Sequence, residues 1–242
     1  FPPHAVYWPA VLMSSNFDLP KRIFSHWWWT NDGKKISKSL GNVINPIEII
    51  NQYGLDQIRY FVLREITFGN DGDFSISALK SRINADLSND LGNLCQRSLT
   101  MINKHCNSRI PRGDNISDTE KKFLAKLFNL LPELSLHIDN QEINLYLKKI
   151  WDIVAETNKY FNDSKPWELK DTNKESFENI LYVTAEIIKQ IAIMIYPAMP
   201  QTSVKILSLF SIEEDSIKIE SLNINIENIE LSNVKPLFPR VE

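Results

Sequence analysis

The residues of this 242-residue chain best suited to chemistry fall in three short runs. The first is Lys34-Lys35-Ile36-Ser37-Lys38-Ser39-Leu40-Gly41-Asn42, in which Lys35 and Lys38 stand three apart on a hydroxyl-rich stretch without helical or strand period. Such a loop suits a transient polyphosphate: ammonium groups neutralise charge developing on a leaving pyrophosphate, while hydroxyls and backbone N–H groups orient it. The same run also reads as a solvated charged loop. The second is Asn93 and Arg97, four apart and so on one helix face, where an amide and a guanidinium can read the edge of an unstacked base or form an ordinary polar helix pair. In the third, Lys165-Pro166-Trp167, proline interrupts a helical pattern and leaves Trp167 at a loop-to-helix junction, where a core anchor is the plain alternative.

Positioning these runs requires a scaffold, and the glycines say which kind. All seven lie between Gly33 and Gly113, so the rest of the chain has little access to tight turns with positive φ, which favours helices over hairpins. The first 30 residues are two short apolar runs, read as a helix-like segment followed by a buried strand over about 22–29, as in the last unit of a parallel sheet. Asn31-Asp32-Gly33 marks a turn. After Pro46 the pattern is helical, with Ile47, Ile50 and Tyr53 on one side and Gly54 as the stop, and a second short helix runs from about Asp56 to Ile66. Residues 69–73 read as a loop, and Ser75 caps a long helix to about His105 with Leu79, Ile83, Leu87, Leu94 and Ile102 on its apolar side.

Beyond Pro111 the chain reads as a helical bundle. Ser117 and Glu120 form a capping-box pair, and Pro132 should kink or end the helix they start. Residues 143–161 and 177–195 are strongly amphipathic, Pro197 and Pro200 stop the second, and a shorter helix follows from about Gln201 to Phe210. The Ile/Asn alternation at 223–226 fits neither helix nor strand.

Composition narrows the class. With 43% hydrophobic and 24% charged residues, the chain has enough apolar material for one large or two small domains and is neither a disordered polymer nor a small disulfide scaffold. It has no apolar run of about 18 residues and no signal-like start, so a soluble cytoplasmic protein without membrane attachment is expected. Cys95 and Cys106 stand apart, which points to reduced, packed side chains rather than zinc or a disulfide. A net charge of −3 argues against a general polyanion coat, yet residues 80–112 carry +4 and residues 212–242 carry −4. The former is the better polyanion candidate.

Lys35-Ile36-Ser37-Lys38-Ser39 resembles the KMSKS signature of class I aminoacyl-tRNA synthetases, with Ile36 in place of Met, and Leu40 to Pro46 continue it. The stretch Tyr53 to Phe61, the stretch Phe68 to Ser75, Arg82-Ile83-Asn84-Ala85-Asp86 and Leu237-Phe238-Pro239-Arg240 narrow the resemblance to methionyl-tRNA synthetases of the bacterial type. It covers essentially the whole chain.

The resemblance implies a mainly α architecture: the end of a Rossmann-type catalytic domain over 1–30, the signature loop and connecting fold over 31–76, and a helical anticodon-binding domain over 77–242. It implies that Lys35, Ile36, Ser37, Lys38 and Ser39 bind ATP, with Lys38 the chief catalytic group assisted by Lys35 and Ser37. It further implies that His4 and Trp8 line a methionine pocket, where an aromatic wall suits a thioether; their alternative is ordinary burial. Pro2-Pro3 and the Trp27 after His26 depart from the family pattern there. Asn93, Arg97, Pro166 and Trp167 would hold the first base of a CAU anticodon, with Trp167 as stacking platform.

The implied partners are methionine, ATP with Mg2+ as substrate, tRNA-Met and an upstream catalytic half of the same polypeptide. No H-x-G-H motif occurs in the 242 residues, so a C-terminal portion inactive on its own is expected, with any zinc-bearing insertion upstream and no dimer-forming appendage after Glu242. The alternatives are a synthetase for isoleucine, valine or leucine, against which the Asn93/Arg97 and Pro166/Trp167 pairs argue, and a non-catalytic tRNA-binding module.

Overall fold

A computed structural model describes residues 2–25, 28–67 and 69–241, and of Lys38 the backbone only. His26, Trp27 and Phe68, which entered the sequence reading, lie outside the described residues. The N-terminal helix consists of a π-helical turn, Pro3–Tyr7, continued by α1, Trp8–Ser14. No residue of it is buried. Of the buried strand expected over 22–29, the described residues 22–25 and Trp28 carry no strand and are exposed. Among the described residues of this run, only Trp29–Asn31 form a strand, β1, where the chain supplies ladder partners.

Those partners are β2, Lys34–Lys35, antiparallel to β1, and β3, Gly72–Phe74, parallel to it, in the order β2-β1-β3. Asp32 (φ 49°) and Gly33 (φ 71°) make the two-residue hairpin turn between β1 and β2, which needs positive φ at both central positions. Both strand partners come from segments read as irregular: two residues of the lysine run form β2, and part of the 69–73 loop forms β3.

The first helices follow their caps. Helix α2, Pro46–Tyr53, starts where Asn45 Oδ1 accepts the Ile47 N–H (3.1 Å) and stops at Gly54 (φ 97°); α3 spans Leu55–Glu65. Ser75 Oγ accepts the Ala78 N–H and opens α4, Ile76–Arg82, which continues through a π-helical stretch, Ile83–Gly92, into α5, Asn93–His105. Leu79, Ile83, Leu87 and Leu91 recur every four residues, wider than the α-helical 3.6, and local unwinding keeps all four buried on one side.

The bundle continues with α6, Asp118–Leu124, α7, Lys126–Asp139, α8, Ile143–Ser164, α9, Pro166–Leu169, α10, Lys174–Ile195, and α11, Pro200–Leu209. The capping box of Ser117 and Glu120 is formed on both sides. Pro132 does not end its helix: it lies inside α7, and the interruption falls at Ala125, where ψ of −10° departs from helical geometry. The loss of one backbone bond at Pro132 is absorbed by a helix that is otherwise packed on α8.

After two short 3-10 turns, the last residues run as a strap back along the long helix. Leu231 N–H donates to Ser108 O (2.7 Å) and Ile110 N–H to Ile229 O (3.0 Å), while at the far end Val241 N–H reaches Asn84 Oδ1 (3.0 Å). Ile226, Leu231 and Phe238 are buried under the strap. The Ile/Asn alternation thus belongs to an extended segment that joins no sheet.

Lys189 anchors this strap from below. Fully buried on α10, its Nζ donates to Leu222 O (3.0 Å) and Ile224 O (2.6 Å) and pairs with Glu186 (2.6 Å). Replacing Lys189 by Ala strands Glu186 and two carbonyls together, so urea unfolding should show a loss of about 3–5 kcal/mol. A loss below about 1 kcal/mol would mean that the strap holds without it.

Candidate functional site

The lysine loop is a small closed structure. It leaves β2 at Lys35, forms a 3-10 turn over Lys38–Leu40, and returns at Asn42 through Gly41 (φ 64°). Asn42 Nδ2 donates to Lys35 O (3.0 Å), its Oδ1 accepts the Ser37 N–H (2.9 Å), and its carbonyl accepts Asn31 Nδ2 at the end of β1 (2.9 Å). Within the loop the Ser37 and Ser39 hydroxyls lie 3.1 Å apart, and Leu40 N–H donates to the Ser37 carbonyl (3.3 Å). Ile36 and Ser37 are half-buried and Ser39 is exposed. Lys35 Nζ lies 5.9 Å from the Trp28 ring centroid, a cation–π contact. The Lys38 side chain lies outside the described residues.

The turn that launches the loop is pinned from β3. Asp73 Oδ1 accepts the Thr30 hydroxyl and the Gly33 N–H (2.8 Å), and these two bonds, Thr30 first, hold its carboxyl below the ordinary carboxylate value. Through Asp73, the next residues of the chain, Phe74 and Ser75, tie the loop to the start of the long helix.

Farther along that helix, in the first turns of α5, the second and third runs meet. The Arg97 guanidinium carbon lies 5.3 Å from the Phe161 ring centroid and 5.7 Å from that of Trp167, and the two rings are 6.3 Å apart. Phe161 is buried, Pro166 is buried, and Trp167 is 39% exposed, so one ring supports the cation while the other keeps a free face. Asn93 is exposed one turn before Arg97. Among the described residues Arg97 has no salt-bridge partner, which leaves its N–H donors available.

Lys165 makes this corner. It ends α8 in the left-handed conformation (φ 44°, ψ 57°), which costs a non-glycine residue roughly 1–2 kcal/mol. Pro166 then starts α9 with its φ already helical, and Trp167 is turned back toward Phe161. Asn158 Nδ2 donates to Asp90 O (3.1 Å) and fixes α8 against the long helix.

The structure therefore brings Arg97, Pro166 and Trp167 into one corner with Asn93 beside it, whereas the lysine loop is tied through β1 and β3 to the start of the long helix. His4 and Trp8 lie elsewhere, on the exposed N-terminal helix, and Trp8 at 54% exposure is not a core residue of this chain. Sequence reasoning missed Asn42 as a tie and took Phe161 only for an apolar helix position. Neither had a local signal, because both act across a turn that only the fold closes.

Other groups of the bundle lack reactive character. Burial pushes the Cys95 thiol up to about 12 and the Cys106 thiol to about 11, far from thiolate chemistry. Among the described residues no three His, Cys, Asp or Glu side chains gather as a metal site, and no helix is long and apolar enough to cross a membrane. A cavity of about 280 Å³ opens beside Asn93, between Gly92, Gln96 and the strap residues Leu237 and Phe238. A polar one of about 610 Å³ lies at the C-terminal end of α5, with Cys106, Arg109 and Arg112 in its lining.

Residues 1–99 match the family model described as class I tRNA synthetases (M), and residues 110–231 match the anticodon binding domain of methionyl tRNA ligase. The methionine–tRNA ligase of Brucella suis biovar 1 is 43% identical over 98% of this chain and 46% of its own length, and that of Mycobacterium tuberculosis is 44% identical over 85% and 40%. Methionyl-tRNA synthetase of M. tuberculosis in complex with methionyl-adenylate superposes with a TM-score of 0.93 at 40% identity, covering 98% of this chain and 48% of that one. Its apo form gives a TM-score of 0.91 at 36% identity over 100% of this chain and 48% of that one. The chain spans about half the length of the relatives it matches.

The Asp73 carboxylate supplies a test of the loop's anchorage. Because its folded value is depressed, its hold on the turn is complete above the ordinary carboxylate value and is lost as pH falls through the lowered one. The Gly33 amide resonance should titrate with that lowered midpoint and stop titrating in Asp73→Asn. A midpoint at the ordinary Asp value would show the bond to be absent in solution.

Proposed function

The chain belongs to the methionyl-tRNA synthetase family, and on that premise we propose that the protein carrying it is a methionine–tRNA ligase of the cytoplasm. In this reading residues 1–30 end the catalytic domain, 31–76 hold the phosphate-handling loop and connecting fold, and 77–242 read the anticodon. The observation that carries it is the corner in which Arg97 lies 5.7 Å from a half-exposed Trp167 and 5.3 Å from buried Phe161. An aromatic face, a guanidinium and the Asn93 amide provide stacking together with edge hydrogen bonds, as recognition of an unpaired base demands. We assign Asn93, Arg97, Pro166 and Trp167 to the first base of a CAU anticodon.

The reaction follows in two steps. The methionine carboxylate attacks the α-phosphorus of MgATP, giving methionyl-adenylate and pyrophosphate, and the 3′-terminal ribose hydroxyl of tRNA then takes the aminoacyl group and releases AMP. Lys38 is the main stabiliser of charge developing on the pyrophosphate, assisted by Lys35 and Ser37, with Ile36 and Ser39 completing the ATP loop. His4 and Trp8 border the methionine pocket. The apolar side chains Val6, Tyr7, Trp8, Val11 and Met13, exposed in this chain, form the surface on which the remainder of the catalytic half packs.

Two substitutions test the halves separately. In the full-length protein, Lys38→Ala should lower methionine-dependent ATP–pyrophosphate exchange by a factor on the order of 10²–10³ with methionine affinity little changed. A defect confined to methionine binding would remove the loop from pyrophosphate chemistry. Trp167→Ala should weaken binding of a CAU-anticodon tRNA by about 1–3 kcal/mol and barely affect a tRNA with a changed first anticodon base. Equal losses for both RNAs would reduce Trp167 to a packing residue.

A further inference from the structure

The lysine loop carries five residues assigned above to ATP, yet what gives it a shape is a residue to which no role has been given. We propose that Asn42 is a positioning residue for adenylation: its side-chain amide closes the loop into a ring and so presets the groups that stabilise the leaving pyrophosphate. The inference rests on the functional reading given above and deepens it.

The geometry is specific. Asn42 uses its donor on Lys35 O (3.0 Å) and its acceptor on the Ser37 N–H (2.9 Å), gripping both peptide groups that flank Ile36. Its own carbonyl is held by Asn31 Nδ2 (2.9 Å), so the ring is fastened to the last residue of β1. Gly41 makes the return possible: at φ 64° the chain reverses into a conformation that strains other residues, and nothing lies within 4 Å of where a Cβ would be. Ser37 N–H and Leu40 N–H are both engaged within the ring, to Asn42 Oδ1 and Ser37 O. The Ser37 and Ser39 hydroxyls, 3.1 Å apart, thus stand on a backbone whose course the ring fixes.

An eight-residue loop with two lysines repels itself and, unclosed, samples many shapes. Electrostatic stabilisation of a transition state is effective only when its donors need no reorganisation as the charge develops. Asn42 meets that cost in the folded protein, ahead of the reaction. Its loss therefore falls on the chemical step rather than on binding of methionine.

The test uses the full-length protein with Asn42→Ala and, as a milder companion that keeps the amide but frees its backbone, Asn31→Ala. In methionine-dependent ATP–pyrophosphate exchange, Asn42→Ala should lower kcat roughly ten- to a hundredfold with KM for methionine unchanged, and Asn31→Ala should show the same split with a smaller loss. An unchanged kcat, or a change carried entirely by KM for methionine, would overturn the assignment. Tryptic cleavage in the loop, read at Lys35 and Lys38 under native conditions without substrates, should accelerate at least about tenfold in Asn42→Ala, since cleavage tracks the population of the open form. Equal cleavage rates would overturn it independently of activity. A wild-type protein without exchange activity would instead count against the functional reading, and the proteolysis result would still decide the role of Asn42 in the loop.

Discussion

The constraint on which the rest of the bundle depends is the burial of α10. Seventeen of its residues between Phe177 and Ile195 are buried, including Glu186, Lys189 and Gln190, so this helix has no solvent face over most of its length. A helix apolar on all sides must be surrounded. Here α5, α8, α11 and the returning strap enclose it, and the polar groups taken inside are paired: Lys189 with Glu186 and with two carbonyls of the strap. The returning chain thus supplies two carbonyls to a buried ammonium whose only other partner among the described residues is Glu186.

That enclosure sets the corner at Trp167. With α5 and α8 held on one side of α10, the Arg97 side chain meets Phe161, and the chain leaving α8 must turn sharply to begin α10. The left-handed Lys165 and the helical Pro166 accomplish this within two residues. The local strain at Lys165 is offset by the burial of Phe161 and Pro166, each worth on the order of 1–3 kcal/mol. The half-exposed face of Trp167 is what the bundle leaves uncovered.

Legibility in the sequence followed the range of the interactions. Helices α2, α8 and α10 could be read because their information is local: Asn45 and Gly54 at the ends of one, apolar periodicity in the others. The capping box at Ser117 and the Ser75 cap were equally visible, being side-chain bonds to a backbone three residues on. The tie from Asn42 to Lys35 was not, since its partner is a carbonyl without sequence identity, and β3 was not, since a three-residue strand exists only through its pairing with β1. The N-terminal apolar run is helical as its pattern suggests, but Val6, Tyr7, Trp8 and Val11 on it are exposed. Of the site residues, the meeting of Arg97 with Trp167 followed from family resemblance rather than from spacing, because 70 residues separate them and no local rule joins them.

The uneven charge along the chain gains a different meaning once folded. Read linearly, the +4 of residues 80–112 makes that segment a better polyanion candidate than residues 212–242, which carry −4. The strap lays the second along the first: Glu230 pairs with Arg109 (3.3 Å), Glu227 accepts the Gly113 N–H (3.3 Å), and Arg240 is taken up by Asn89 (2.8 Å). One cation of the basic segment, Arg109, is thus paired with the acidic end, while Arg97 has no salt-bridge partner among the described residues and lies beside an aromatic face. Broad electrostatic attraction gives affinity without sequence information, whereas a single oriented guanidinium next to a stacking surface discriminates among bases.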